Sequence, residues 1–256
     1  MTTLDEARAA LRERQGSGAR YDAPEAPAVE LGWARLGTAY FARLLNDLPD
    51  ADLAGPSLVP GWTRRHVVAD VGYHARALTR LTEWAADGVP RPMYASRAAQ
   101  REEIASGATL PARALRGLFR HAAVHLDVEW RDLNGPAWDA PLTLPDGRRI
   151  TARDTAWLRA RRIWLRAVDL GTGGSLLDAP REMVDRMLAE AIAAWDDVPV
   201  ALQPTDRPPA APPRPGNATV SGRAADLVRW LAGRGAHRLT CDRPLPRPPM
   251  PDLTDS

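Results

Sequence analysis

The chain has no lysine: all 34 of its basic residues are arginine. That uniformity reads first as biased coding in a GC-rich genome, not as an adaptation to phosphate binding. Cysteine is almost absent. The lone Cys241 excludes an internal disulfide framework, and an isolated Cys closing an apolar, strand-like run reads as packing before it reads as a nucleophile. No apolar run reaches membrane-spanning length, and the opening Met1-Thr-Thr-Leu-Asp-Glu-Ala-Arg is too polar for a signal peptide. A cytoplasmic protein without a membrane partner is the expectation. One-sided charge is missing as well. The formal net charge is +2, with no dense basic tract interleaved with aromatics, so nucleic acid is not an expected partner.

What is present suits a globular, mainly helical protein. At 256 residues and 45% hydrophobic content, the chain can bury a substantial core in one large domain or a domain plus a smaller one. Residues 1–27 divide into a short charged helical stretch and a linker-like run from Gly16 to Pro27. Val29, Leu31, Trp33, Leu36, Tyr40, Leu44 and Leu48 fall at mostly helical spacings, which predicts a long first helix. Thr63 is placed to N-cap a second helix over 64–86, closed by Gly88. A third is expected over 111–133, with Pro111 in its first turn. Asp146-Gly147 between short β-prone runs predicts a hairpin within 142–151. A fourth helix over 152–170 then ends at Gly171-Thr-Gly-Gly174, and another follows over 181–195. Short strands near 198–203 and 218–221 flank a Pro-rich run over 204–215, before a helix over 222–231 and a strand over 237–241.

Three segments carry a family likeness. Trp157-Leu-Arg-Ala-Arg-Arg162-Ile-Trp-Leu-Arg166-Ala-Val-Asp169-Leu170 resembles W-x-R-x-R-E-x-W-x-H-A-x-D-L. Leu58-Val-Pro-Gly-Trp62-Thr63-Arg-Arg-His66-Val-Val-Ala-Asp70-Val resembles L-x-P-G-W-T-x-x-H-V-x-x-H-L. Gly222-Arg-Ala-Ala-Asp-Leu-Val-Arg-Trp230-Leu-Ala-Gly-Arg234 resembles G-x-A-x-x-L-x-x-W-L-x-G-R. With the loop from Trp84 to Tyr94, they are similar to the mycothiol-dependent maleylpyruvate isomerase family, part of the DinB-like group. The resemblance implies a DinB-like four-helix bundle over 28–196, after an extension over 1–27, and a small α/β C-terminal domain over 197–256.

It also implies a divalent metal held by a Glu and two His, and here the sequence departs from the pattern. Those three positions are Arg162, Arg166 and Asp70. A guanidinium stays protonated and has no lone pair for a metal. Residues four apart share a helix face, which pairs Arg162 with Arg166 and Asp70 with His74. The resemblance implies that these faces meet inside the bundle, so that Asp70, Arg162 and Arg166 converge on the former metal pocket. The formal charge is kept. A divalent ion, one Glu and two neutral His sum to +1, as do two Arg and one Asp.

Two readings stand open. The trio is a salt-bridge plug, or it binds a carboxylate or enolate oxygen in place of the metal. In the second reading Asp70, His74, Arg162 and Arg166 are the catalytic candidates, with His74 for proton transfer and His66 as a structural residue near the helix start. Arg234, closing the last motif, is implied to contact a substrate carboxylate or the thiol. Mycothiol is the cofactor implied by the family and a small molecule the expected partner; monomer and homodimer stay open. The function expected is isomerase, cyclase or thiol transferase chemistry. Its rivals are a non-catalytic small-molecule binder and a relocated metal site on His121, His125 and Glu129, joined by His74 if the helices abut. Trp62, Trp157 and Trp164 are expected to pack the bundle.

Overall fold

The computed structural model describes residues 21–194, 200–208 and 218–245. The expected helical stretch near the N-terminus, the end of the helix at Trp195 and most of the Pro-rich run lie outside them. Four long helices form the bundle: α1 (Ala28–Asp47), α2 (Arg64–Asp87), α4 (Ala112–Asp132) and α5 (Asp154–Asp169). A shorter α3 (Arg97–Ala108) lies against α2. The hairpin is β1 (Pro141–Thr143) with β2 (Arg149–Thr151), antiparallel with Leu142 opposite Ile150.

α2 begins and ends where local chemistry dictates. The His66 ring caps the start of α2: its Nδ1 accepts from the Thr63 amide at 3.2 Å and lies 2.8 Å from the Thr63 hydroxyl. Gly88 closes α2 at φ 76°, a left-handed conformation that costs glycine no Cβ clash. α1 buries Leu31, Ala34, Phe41 and Leu45, but Val29 and Leu36, expected in its apolar stripe, face solvent at 59% and 57% exposure. α5 is the central helix. Nearly every side chain from Thr155 to Asp169 is buried, three arginines included. It packs on α1 and α2, and α2 packs on α4.

α3 was not expected. Its sequence buries one large apolar side chain, Ile104, so apolar periodicity is weak. The readable signal was Ser96, whose side chain caps the helix by accepting from the Ala99 amide at 3.0 Å.

After α6 (Arg181–Ala193) comes a three-stranded sheet in the order β3-β4-β5. β3 (Val200–Pro204) and β4 (Ala218–Gly222) are parallel, with Leu202 opposite Val220; β5 (Thr240–Cys241) is antiparallel to β4. α7 (Ala224–Leu231) packs against α6. The strand expected from His237 is confined to Thr240–Cys241, because Arg238 takes a left-handed φ of 55° and breaks the extended run. Among the described residues no helix is long and apolar enough to cross a membrane.

Gly37 sets the α1–α5 approach. A Cβ there would lie 2.7 Å from both Ile163 and the Trp164 indole nitrogen. Trp164 is itself fixed, stacked on Tyr40 at 4.8 Å and donating to the Trp33 carbonyl at 3.1 Å. Gly37→Ala gains roughly 1 kcal/mol of helix propensity but overpacks a rigid contact, at a cost of about 1–3 kcal/mol. A net loss, read from the urea midpoint, is the expected outcome; a higher midpoint would show that the helices do not meet this closely.

Candidate active site

Asp70 sits two turns into α2, fully buried, and faces α5. Arg162 embraces it side-on: its Nε donates to Oδ2 at 3.1 Å and its Nη2 donates to Oδ1. Arg166, one turn on, donates from Nε to Asp70 Oδ2 at 2.7 Å. The three residues expected to converge do so. Arg166 Nη1 also reaches Asp169 Oδ2 at 2.9 Å, and Arg234 grips the same carboxylate from Nε and Nη2 at 2.9 Å each. The outcome is a chain of alternating charge, Arg162–Asp70–Arg166–Asp169–Arg234, running from α2 to the turn after α7.

Burial alone would raise the pKa of Asp70, but the charges of Arg162 and then Arg166 outweigh it and hold the carboxyl well below its usual range. Asp169 follows the same logic: desolvation pushes up, while hydrogen bonds and charge from Arg234 and Arg166 prevail and lower it. Arg166 also lies over the Trp62 ring, 4.9 Å from its centroid, and Trp62 in turn stacks beside His66. Trp157 packs edge-on against Trp33 at 5.9 Å.

His74 shares the Asp70 face of α2 and is fully buried; neither ring nitrogen has a hydrogen-bond partner. Burial first, then the charges of Arg162 and Arg159, push its pKa well below 6.5, so the imidazole is neutral at physiological pH. Tyr94, from the loop after α2, is buried within electrostatic reach of Arg162 and Asp70. Burial raises its pKa, leaving a protonated phenol.

The other candidates fall elsewhere. His66 caps α2, as a structural residue would. Arg234 has all three guanidinium nitrogens engaged within the chain, the third by donating to the Ala232 carbonyl. It ties the C-terminal elements to the bundle. His121 and His125 are exposed on α4, where His125 pairs with Glu129 at 3.3 Å, while His74 is buried inside the bundle. The idea that His74 joins them is therefore corrected: exposed and interior faces cannot share a ligand. No group of three His, Cys, Asp or Glu side chains among the described residues is arranged to hold a metal. Cys241 is half-buried in β5.

Two buried charged residues were missed. Asp169 lies one turn from Arg166, a spacing that would have flagged it as a partner. Arg159, also on α5, is 1% exposed and donates from Nη1 to the Val71 carbonyl at 2.8 Å.

Both kinds of buried group predict acid sensitivity. A group whose pKa is depressed by folding binds its proton more readily in the unfolded chain, so stability falls as pH drops below the unfolded value. For His74 the loss begins near pH ~6.5, and for Asp70 and Asp169 near pH ~4. His74→Gln should flatten the slope of urea stability between about pH 6.5 and 4.5, leaving a smaller remainder from His66, whose pKa burial also lowers. The steeper limb below pH ~4 should persist. An unchanged upper slope would mean that His74 is neither neutral nor buried.

Comparison with known proteins places this geometry. Residues 34–171, more than half of the chain, match the family model described as the mycothiol maleylpyruvate isomerase N-terminal domain. Two solved structures, the mycothiol-dependent maleylpyruvate isomerase and a histidine-to-alanine variant of it, each share 38% identity and a TM-score of 0.80 with this chain. The alignment covers 87% of this chain and 95% of theirs. A comparison with curated protein sequences finds no match. A DinB-like bundle with a small α/β addition, carrying this motif set at this level of identity, belongs to the mycothiol-dependent maleylpyruvate isomerase family.

Proposed function

We propose that this chain is a metal-independent isomerase, cyclase or thiol transferase acting on a small, unsaturated or carboxylated metabolite, with arginine charge in the place of the ion. The observation that carries this reading is the buried cluster of Asp70, Arg162 and Arg166. Its donor set does not fit a divalent cation. The guanidiniums offer no lone pair, and both Asp70 oxygens already accept N–H groups. Counting Asp169 and Arg234, three cations stand against two carboxylates, an excess that favours an anion.

The reaction is one in which negative charge develops on a carboxylate or enolate oxygen. Arg162 and Arg166 stabilise that charge in a site of low dielectric, where such contacts are strongest. His74, neutral and with both ring nitrogens unpartnered, accepts a proton at one and donates at the other. The Tyr94 phenol, kept protonated, adds a donor. If mycothiol is retained, it supplies a nucleophilic sulfur whose anionic form this cationic cluster favours. A second reading, a non-catalytic binder, is favoured by the mutual saturation of Asp70, Asp169 and Arg234.

Arg166→Ala is a poor test, because it takes one of two cations from each of two buried carboxylates, a loss of up to about 3–5 kcal/mol that confounds activity with stability. Arg166→Lys keeps the charge and loses the planar fork. Wild-type protein is assayed with cis-unsaturated keto acids, with and without mycothiol, before and after chelation. Turnover should survive chelation and fall ~100-fold in Arg166→Lys, the usual scale for losing one oxyanion contact. Loss on chelation with recovery on adding a divalent ion, or a stoichiometric metal removed by His121→Ala, would overturn metal independence. Thermal shifts without product would hand the site to the binder reading.

A further inference from the structure

A cavity opens on the flank of the bundle, between α1 and α4. The backbones of these helices stay apart, and they meet only through side chains such as Phe41 and Phe119, 5.1 Å between ring centroids. Small residues line the gap from both sides, Ala39 and Ala42 on α1 and Ala123 on α4, with Phe119, Val124 and Leu126 completing an apolar wall around 460 Å³. That volume lies within the range of small-molecule sites. Val124 is 61% exposed, an apolar side chain left uncovered at the mouth. The rim carboxylate, Asp127, is neutralised by Arg35 at 2.7 Å and Arg131 at 2.8 Å.

Arg159 of α5 also lines this cavity and is its one fully buried ionised residue. Its only hydrogen-bond acceptor at Nη1 is the helical carbonyl of Val71, and its Nη2 is buried with no partner at all. Burial pulls the guanidinium down to about 10, so it remains charged at neutral pH. A buried cation with an orphaned N–H is costly unless something anionic completes it.

We propose that the α1–α4 groove is a binding site for an amphipathic monocarboxylate, its apolar body against the alanine-lined walls and its carboxylate on Arg159. The site stands on the groove and on Arg159, independently of the reaction assigned to Arg162 and Arg166. A charge-assisted pair in this interior is far stronger than one at the surface. The alanines leave room for an aryl or short acyl chain but not for a second helix.

The test is calorimetric binding of 4-phenylbutanoate and its uncharged amide to the full chain. Saturable binding of the acid is expected, with the amide at least ~10-fold weaker, since it leaves Arg159 unpaired. Arg159→Met removes a buried charge, a change that is often neutral or stabilising, and should erase the preference for the acid. Ala123→Trp fills the cavity without touching Arg159 and should abolish binding of both ligands. Equal binding of acid and amide, full acid affinity in Arg159→Met, unchanged binding in Ala123→Trp, or no binding to wild type would each overturn the proposal.

Discussion

The carboxylate of Asp70, held between two guanidiniums in the dry centre of the bundle, is the constraint on which the interior depends. Ions of this kind are expensive to desolvate, and a lone one would cost several kcal/mol. The arrangement survives because no member is alone. Each carboxylate in Arg162–Asp70–Arg166–Asp169–Arg234 has a cation on either side, and each interior cation has a carboxylate on either side. The cluster thereby joins α2, α5 and the turn after α7 into one electrostatic unit. The C-terminal elements are fastened to the bundle through polar contacts as well as apolar ones.

The side-chain type matters as much as the charge. Arg162 meets Asp70 with two nitrogens, and Arg166 divides its fork between two acids. A lysine ammonium, a point charge on a flexible stem, cannot reproduce either geometry. Trp62 supplies the flat surface on which Arg166 rests, so a residue of the inherited motif now supports a side chain the pattern does not contain. His74 is different in kind. It is the one imidazole in the cluster, and burial, aided by the nearby cations, keeps it uncharged.

Much of the architecture was legible in the sequence because its signals were local. The boundaries of α2, from Thr63 to Gly88, and the hairpin at Asp146-Gly147 follow from capping and turn chemistry. That Arg162 and Arg166 share a face followed from i, i+4 spacing, whereas their meeting with Asp70, 92 positions from Arg162, was implied only by the family resemblance. Other features were hidden for physical reasons. α3 has little apolar periodicity to announce it, and the stripe assigned to Val29 and Leu36 ignored that helix rotation is set by the partner, here α5 through Gly37. Asp169 and Arg234 are 65 positions apart and meet in space, which spacing cannot reveal. Arg159 lay in plain sight inside the motif, yet only burial distinguishes it from the neighbouring Arg161, which reaches Glu190 at 3.3 Å.

The alternating chain also bears on how such a site changes over generations. Replacing one member removes contacts on both sides of it: a histidine at 166 would leave Asp70 to Arg162 alone and Asp169 to Arg234 alone. The interlocked ions therefore couple their substitutions: a change at one position weakens the pairing of the next.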